Sequence, residues 1–176
     1  MAKAENGTHC PLMTFIHPGD FQTSDAGPQT FGPQLFMNHK VVLLSFNYRL
    51  GPLGFLSTDN DEGPGNLGLR DQSLALQWAK KEARNFCADP DKITIFGSGS
   101  GGESVLIQML SPFNTKIEEK LFHRVISQSG SPIMDPKYQR KNRREDAEKL
   151  AQNVGCGKAK VSQFEFSRQK IRLLNI

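Results

Sequence analysis

A glycine-rich turn in the middle of the chain constrains the fold more than any other feature. Residues 93–96 are Ile-Thr-Ile-Phe, a β-prone segment, and glycine stands at positions 97, 99, 101 and 102. The apolar residues 105–110 follow directly. β-branched and aromatic residues favour strands, while glycine lets the backbone turn where a Cβ would collide. The sequence therefore predicts a strand, a sharp turn and a helix in immediate succession.

Strands and helices alternate on both sides of this turn. Residues 41–46 form an unalternating apolar run, which predicts a central strand buried on both faces of a parallel sheet. Glycines and prolines between positions 51 and 65 predict a loop region. Further predicted elements are strands at 12–17 and 125–128, a loop at 23–33, and helices at 69–83 and 143–154. This alternation indicates an α/β fold with a mostly parallel sheet flanked by helices, in a single domain.

A strand that enters a helix through a tight glycine turn can hold one strained residue above the sheet, an arrangement called a nucleophile elbow. In its pattern G-x-S-x-G, only small residues fit two positions before and two positions after the nucleophile. Gly97 and Gly101 occupy those two positions here, and the residue between them is Gly99. The turn therefore has the glycines of the pattern without a hydroxyl at its centre.

Motifs spread along most of the chain resemble one known family. The blocks N-Y-R-L-G-P-L-G-F-L-S at residues 47–57 and P-G-N-L-G-L-R-D-Q at residues 64–72 resemble the type-B carboxylesterases and cholinesterases. Shorter matches to the same family lie at residues 89–97, 121–124 and 128–131. The resemblance implies a partial α/β-hydrolase fold and kinship with serine hydrolases of carboxylic esters.

The resemblance also assigns the residues of the turn. The family elbow reads F-G-E-S-A-G-G, and an ungapped match to residues 96–102 places Ser98 at the glutamate and Gly99 at the nucleophile. Glycine has no side-chain atom that could attack a carbonyl carbon, so no acyl-enzyme would form there. The chain is therefore predicted to be a catalytically inactive member of the family. The elbow glycines implied by the match are Gly97, Gly101 and Gly102.

Ser100 is the alternative nucleophile. Relative to Ser100, Ser98 is a small residue at minus two and Gly102 a glycine at plus two. Its use would require the turn to shift by one residue, although both flanks match the family without insertion or deletion. On this alternative the chain is a truncated or divergent carboxylic ester hydrolase that still uses a serine.

The loop after the first predicted strand, at residues 17–21, also departs from the family. The segment H-P-G-D-F at residues 17–21 stands where the family has H-G-G-G-F, whose later glycine amides stabilise the tetrahedral oxygen. The resemblance implies an oxyanion hole at Gly19, Asp20 and the amide of Ser100. Pro18 has no N–H to donate, and Asp20 adds a carboxylate where negative charge would develop. Both substitutions count against ester hydrolysis.

The catalytic acid and histidine of the family follow the nucleophile at a distance that the resemblance places beyond residue 176. Residues 1–176 are therefore expected to form a single incomplete domain, without the family's N-terminal strands and without its C-terminal acid and histidine. Among the histidines, His17 matches the oxyanion loop. The remaining three are predicted to be structural or exposed: His9, His39 and His123.

The cysteines do not predict a metal site, and no residue pattern predicts a metal or another cofactor. Cys10, Cys87 and Cys156 are too widely spaced for a metal-binding motif. By resemblance, Cys156 matches the first cysteine of a family disulfide, but Phe166 stands at the partner position, so that bridge cannot form. Cys87 is predicted to pack against its neighbours rather than to react.

Charge and hydropathy narrow the range of partners. The net charge is +4, and a basic cluster at residues 137–144 is followed by acidic residues at 145–148, which is typical of an exposed helix rather than a site for nucleic acid or lipid. No apolar run in this segment could span a bilayer, and residues 1–6 lack the apolar core of a signal peptide. A sequon at residues 6–8 would matter if the parent protein is secreted or anchored outside the cell, and the residues leave the localisation open.

Two functions are consistent with these residues. One is a silent family member that binds a protein partner, as neuroligin-like adhesion proteins do, whose elbow also begins with Gly-Ser-Gly. The other is a serine esterase acting on small carboxylic esters. The blocks at residues 47–57 and 64–72 resemble ordinary esterases more than adhesion proteins, which favours a decayed or partial esterase.

Overall fold

The computed structural model describes residues 9–61, 63–115, 117, 119–133 and 143–156, and the statements below concern these residues. The strands are β1 (Cys10–Ile16), β2 (Val42–Ser45), β3 (Ala88–Ser98) and β4 (Arg124–Gln128). The α-helices are α1 (Gly51–Phe55), α2 (Leu67–Glu82), α3 (Ser100–Leu110), α4 (Pro112–Thr115) and α5 (Arg143–Asn153). Two short 3-10 helices lie at Phe36–Asn38 and Ala83–Phe86.

The four strands form one parallel sheet in the order β2-β1-β3-β4. Each neighbouring pair runs parallel, with Thr14 of β1 opposite both Leu44 of β2 and Ile95 of β3. Parallel neighbours need a crossover connection, and α2 lies in the connection between β2 and β3, as α3 lies in the one between β3 and β4. The predicted α/β class, with a parallel sheet flanked by helices, is confirmed.

Two predictions of local structure are wrong. The run at residues 41–46 is not a central strand, because β2 lies at one edge of the described sheet and its residues are only half-buried. An edge strand has one neighbour, so an apolar run alone does not reveal its place in the sheet. The predicted loop region between positions 51 and 65 contains α1, whose first turn accommodates Pro52 because the N–H that proline lacks would have no acceptor there.

The strand, turn and helix predicted around residues 93–110 are confirmed, with longer elements than expected. β3 begins at Ala88 rather than residue 93, and α3 begins at Ser100 rather than residue 105. The helix starts early because Gly101 and Gly102 belong to its first turn instead of preceding it. Glycine is a poor helix former, so composition alone placed the helix start too late.

The core lies where α2 and α3 pack against the strands. Ile16, Leu76, Ile95 and Val105 have no exposed surface and belong to one apolar cluster. Burying a side chain of this size contributes roughly 2 to 3 kcal/mol relative to leaving it in water. This cluster fixes α3, and with it the glycine-rich turn, on the sheet.

A buried polar network joins α2, α3 and α4. Gln108 Nε2 donates hydrogen bonds to the carbonyl oxygen of Leu69 at 2.9 Å and to Oε1 of Gln72 at 3.1 Å. Asn114 Nδ2 donates to Oε1 of Gln108 at 2.8 Å, and Gln72 Nε2 donates to Oγ of Ser104 at 3.1 Å. Both glutamines are almost fully buried. Buried amides need such partners, because an unmet polar group in the interior costs free energy.

Arg49 and Asp71 connect the loop after β2 to helix α2. Arg49 Nε donates to Oδ2 of Asp71 at 2.7 Å, and Nη2 donates to Oδ1 at 2.8 Å. The backbone N–H of Arg49 donates to the same carboxylate at 3.1 Å. The hydrogen bond from the Arg49 side chain is the main cause that holds the pKa of Asp71 below its ordinary value.

We expect Asp71→Asn to lower the free energy of unfolding at pH 7 by about 1 kcal/mol, because the pair is bidentate yet partly exposed. A carboxyl group with a depressed folded pKa stabilises the protein above its unfolded pKa, and this contribution is lost as the pH falls through the folded pKa. The difference between wild type and variant should therefore shrink as the pH falls from about 5 toward 2. Urea denaturation at several pH values measures it.

The control for this prediction is Asp59→Asn, at an exposed position. It should alter stability by less than about 0.5 kcal/mol at any pH. A loss of stability in Asp71→Asn that stayed constant down to low pH would contradict the assigned role of the ion pair.

Helix α5 confirms the helix predicted at residues 143–154. Arg144 Nε lies 3.2 Å from Oε1 of Glu148, and Lys149 Nζ lies 2.8 Å from Oε1 of Glu145. These pairs, four residues apart, lie on exposed parts of the helix, where solvent screens them and they contribute little to stability. Most of the basic cluster falls at residues 134–142, outside the described residues.

Within the described ranges, no helix has the length and apolar character needed to cross a membrane.

Candidate active site

The carboxyl ends of β1, β3 and β4 meet at one edge of the sheet. Residues 17–21 follow β1, the glycine-rich turn follows β3, and residues 129–131 follow β4. The N–H of Gly99 donates to the carbonyl oxygen of Gln128 at 2.9 Å, and a Cβ on Gly130 would overlap the carbonyl oxygen of Gly99. The loop after β4 therefore packs directly against the turn. Ligand sites of open parallel sheets usually lie at this edge.

Gly99 is the residue at the apex of the turn. Its backbone angles are φ 54° and ψ −122°, a combination that residues other than glycine adopt only under strain. A Cβ on Gly97 would overlap the backbone of Gly101, and a Cβ on Gly101 would overlap the carbonyl oxygen of Ile16. The two flanking glycines thus allow the close approach of strand and helix, as the G-x-S-x-G pattern requires.

The space in front of Gly99 is open. The nearest atom that a Cβ on Gly99 would meet is the Cβ of Pro18 at 3.9 Å, which is ordinary van der Waals contact. A small side chain here would be opposed by the backbone conformation and not by its neighbours. The same distance shows that the loop at residues 17–21 faces the turn.

Ser100 lies on the buried side of the turn. It is the first residue of α3 and is only 3% exposed. Among the described residues, its Oγ has no hydrogen-bond partner of good geometry. Its backbone N–H belongs to the first turn of the helix, where amides lack an acceptor within the helix itself. The third predicted elbow glycine, Gly102, is also tightly packed, since a Cβ there would lie 2.8 Å from the carbonyl oxygen of Gln128.

In the loop at residues 17–21, two residues other than glycine have the positive φ angles that glycine adopts most easily. The φ angles are 123° at Gly19, 54° at Asp20 and 60° at Phe21. Residues with a Cβ rarely adopt positive φ, so Asp20 and Phe21 are held in an unfavourable conformation. A Cβ on Gly19 would overlap the carbonyl oxygen of Thr23. The side of the loop at Asp20 is exposed, which leaves its carboxylate in contact with solvent.

Tyr48 joins the loop and the turn, a role that sequence reasoning missed. Its ring stacks on His17 with centroids 4.5 Å apart, and its hydroxyl donates to the carbonyl oxygen of His17 at 3.1 Å. Burial raises the pKa of Tyr48 to about 12, while the nearby Ser100 side chain opposes the rise. Tyr48 is therefore a neutral hydrogen-bond donor at physiological pH. Its position in the conspicuous block at residues 47–57 was the signal available in the sequence.

The histidines other than His17 lie away from the carboxyl ends of the strands. His9, His39 and His123 precede β1, β2 and β4, so they lie by the amino ends of the strands, whereas the turn lies by the carboxyl ends. His17 is fully buried, and its Nδ1 donates a hydrogen bond to the carbonyl oxygen of Pro18 at 2.7 Å. Across the described ranges, no three histidine, cysteine, aspartate or glutamate side chains gather into a group that could hold a metal ion.

The comparisons with known proteins agree on one family. The model of the carboxylesterase family matches residues 1–173. The chain belongs to the carboxylesterase family. Bile salt-activated lipase from Homo sapiens is 41% identical over 153 residues, which cover 83% of this chain and 20% of the lipase. Venom carboxylesterase-6 from Apis mellifera is 43% identical over 146 residues, which cover 83% of this chain and 25% of that protein.

A solved structure places this carboxylesterase chain on the same scaffold. Juvenile hormone esterase from Manduca sexta, with OTFP covalently attached, matches with a TM-score of 0.75 and 30% identity, over 88% of this chain and 28% of the esterase. The α/β-hydrolase fold predicted from resemblance is thereby confirmed. The chain spans between 20% and 28% of the length of these relatives.

Proposed function

We propose that this carboxylesterase chain is catalytically silent toward carboxylic esters because Gly99 stands at the nucleophile position. The observation that supports the proposal is the backbone of Gly99, with φ 54° and ψ −122°, between two glycines in close contact with their neighbours. In the elbow pattern the nucleophile is the strained residue of the turn. A hydrogen atom at that place leaves no oxygen to form an acyl-enzyme.

The position of Ser100 argues against its use as a substitute nucleophile. A nucleophile must reach a carbonyl carbon at about 3 to 3.5 Å in an accessible site. Ser100 is 3% exposed and already helical, so its hydroxyl would have to leave the interior before it could attack. A shift of the turn by one residue would put Ser98 in the place of Gly97, where a Cβ would lie only 2.8 Å from the carbonyl oxygen of Ile16.

The loop at residues 17–21 supports the same proposal. Pro18 faces the turn at 3.9 Å from a Cβ built on Gly99, and it offers no N–H to a developing oxyanion. Asp20 adds negative charge to the loop that in the family donates amides. Preorganised donors aimed at the developing charge are usually the largest single contribution to acyl-transfer catalysis. Restoring a nucleophile alone would therefore leave much of the catalytic machinery unsuited to its task.

A scaffold of this kind would act by binding. The relatives are named as a lipase, a carboxylesterase and an esterase, so a carboxylic ester is the small ligand that similarity supports. A protein partner is the alternative that the Gly-Ser-Gly beginning of the turn suggested.

A fluorophosphonate probe tests the proposal, because it forms a stable adduct only with an activated serine. We expect intact-mass spectrometry of the treated chain to show no adduct, whereas a carboxylesterase with serine at its elbow, treated in parallel, is labelled fully. Hydrolysis of p-nitrophenyl butyrate by the chain should equal the buffer background.

Two variants make the outcome decisive. Gly99→Ser should fold, since a Cβ meets nothing closer than 3.9 Å, and we expect it to remain at background because three of the four histidines lie at the opposite edge and His17 is enclosed. Labelling of the wild type that Ser100→Ala removes would show that Ser100 is the nucleophile and would overturn the proposal. Labelling that survives Ser100→Ala would reveal another activated residue and contradict the proposal equally.

A further inference from the structure

Two cysteines that are far apart in the sequence are joined by a backbone hydrogen bond at the start of the sheet. The N–H of Cys10, the first residue of β1, donates to the carbonyl oxygen of Cys87 at 2.9 Å. Ala88, the next residue after Cys87, is the direct partner of Cys10 in the register of β1 and β3. The third cysteine, Cys156, follows helix α5, and its N–H donates to the carbonyl oxygen of Ala151 at 2.9 Å. The fold therefore pairs two particular cysteines out of three.

The backbone geometry at this pair suits a disulfide. Segments joined by a ladder hydrogen bond lie about 4.8 Å apart, and Cys10 and Cys87 share such a bond although Cys87 precedes the strand. Disulfides join residues whose Cα atoms are about 4.4 to 6.8 Å apart. Cys87 has φ 58° and ends the 3-10 helix at Ala83–Phe86, so the alternation of side chains along a regular strand does not apply to it. Strand alternation therefore does not force the side chains of Cys87 and Cys10 onto opposite faces of the sheet.

Neither Cys10 nor Cys87 is fully buried. Cys10 and Cys87 are half-buried and free, and neither belongs to the apolar clusters of the core. Disulfide exchange needs access to the attacking sulfur, and a fully buried thiol would not provide it. The expectation that Cys87 serves only for packing does not account for its position beside a second free cysteine.

We propose that Cys10 and Cys87 form a reversible disulfide by exchange with a low-molecular-weight disulfide such as oxidised glutathione. One thiolate attacks the glutathione disulfide, forms a mixed disulfide and releases one glutathione thiolate. The second thiolate then displaces the other glutathione. In total the two cysteine thiols lose two protons and two electrons, and one glutathione disulfide is reduced to two thiols.

The bond would join the start of β1 to the start of β3 and enclose β2 and α2 within one covalent loop. A bond that closes a loop of this length restricts the unfolded chain more than the folded one. We expect oxidation to raise Tm by roughly 5 to 15 °C. The site is independent of the turn at Gly99, so it stands whether or not the proposed loss of catalysis is correct.

The test uses the whole chain, equilibrated with reduced and oxidised glutathione, blocked with N-ethylmaleimide and digested without reduction. We expect a linked peptide that contains Cys10 and Cys87, at least about tenfold more abundant than any link to Cys156. In concentrated urea this preference should disappear, because the fold and not the sequence brings the two residues together. Cys156→Ser should leave both the link and the rise in Tm unchanged.

Cys10→Ser and Cys87→Ser should each abolish the rise in Tm on oxidation while keeping the Tm of the reduced protein. Two results would overturn the proposal. One is a link to Cys156 in the folded protein at a comparable yield. The other is a folded, oxidised chain in which Cys10 and Cys87 carry only glutathione and never join.

Discussion

Gly101→Ala should lower the free energy of unfolding by at least about 3 kcal/mol, a large fraction of the stability of an ordinary domain. A Cβ on Gly101 would overlap the carbonyl oxygen of Ile16 and lie 3.0 Å from that of His17. Both oxygens are backbone atoms at the end of β1, so they cannot rotate away as a flexible side chain would. Helix α3 would have to move off the sheet, with loss of the packing around Val105. Urea denaturation followed by circular dichroism measures the effect.

Gly99→Ala is the matched control for this prediction. It introduces the same methyl group two residues away, at a position where the nearest atom lies 3.9 Å from the Cβ. Its cost should be limited to backbone strain, about 1 to 3 kcal/mol. If Gly99→Ala proved more harmful than Gly101→Ala, the close contact between Gly101 and the end of β1 would not control the stability of the turn.

Gln108→Ala should cost roughly 3 kcal/mol, because it removes a buried side chain and leaves its partners unmet. The carbonyl oxygen of Leu69, the amide oxygen of Gln72 and the amide nitrogen of Asn114 would each lose a hydrogen bond. The network joins three helices, so the loss should also weaken the attachment of α4. Urea denaturation gives the total cost. Amide hydrogen exchange should be accelerated, relative to the wild type, more in α4 than in β3.

The control is Gln77→Ala, a glutamine on the exposed side of α2. Alanine is a better helix former than glutamine, so this change should alter stability by no more than about 0.5 kcal/mol. Equal effects of the two substitutions would mean that the buried network contributes nothing beyond helix propensity.

Local patterns in the sequence predicted those parts of the fold that depend on neighbouring residues. The β-branched run ending at Phe96, the glycines after it and the apolar stretch through Leu110 are contiguous, and the structure has a strand, a turn and a helix there. The spacing of Gly97, Gly99 and Gly101 identified the residue at the apex, because the steric need for glycine acts over two positions on either side.

Features that depend on distant residues could not be predicted in this way. The apolar content of residues 41–46 did not reveal that β2 lies at one edge of the described sheet, since strand order is decided by pairing across the chain. The stacking of Tyr48 on His17 and the meeting of Cys10 with Cys87 likewise join segments far apart in the sequence. In each case the sequence shows the residue types, but the contact between them is seen only in the structure.

The angles at Gly99 have a consequence for how this chain can change over generations. Glycine releases the strain that any side chain would store at φ 54° and ψ −122°, about 1 to 3 kcal/mol. Selection for folding alone therefore favours glycine at the apex of the turn. Under the proposed function, a mutation of Gly99 to serine would lower stability at once and would bring no activity on its own, because His17 is enclosed and the other three histidines lie by the amino ends of the strands. If the proposed loss of the nucleophile is correct, backbone strain at this position therefore opposes the return of serine.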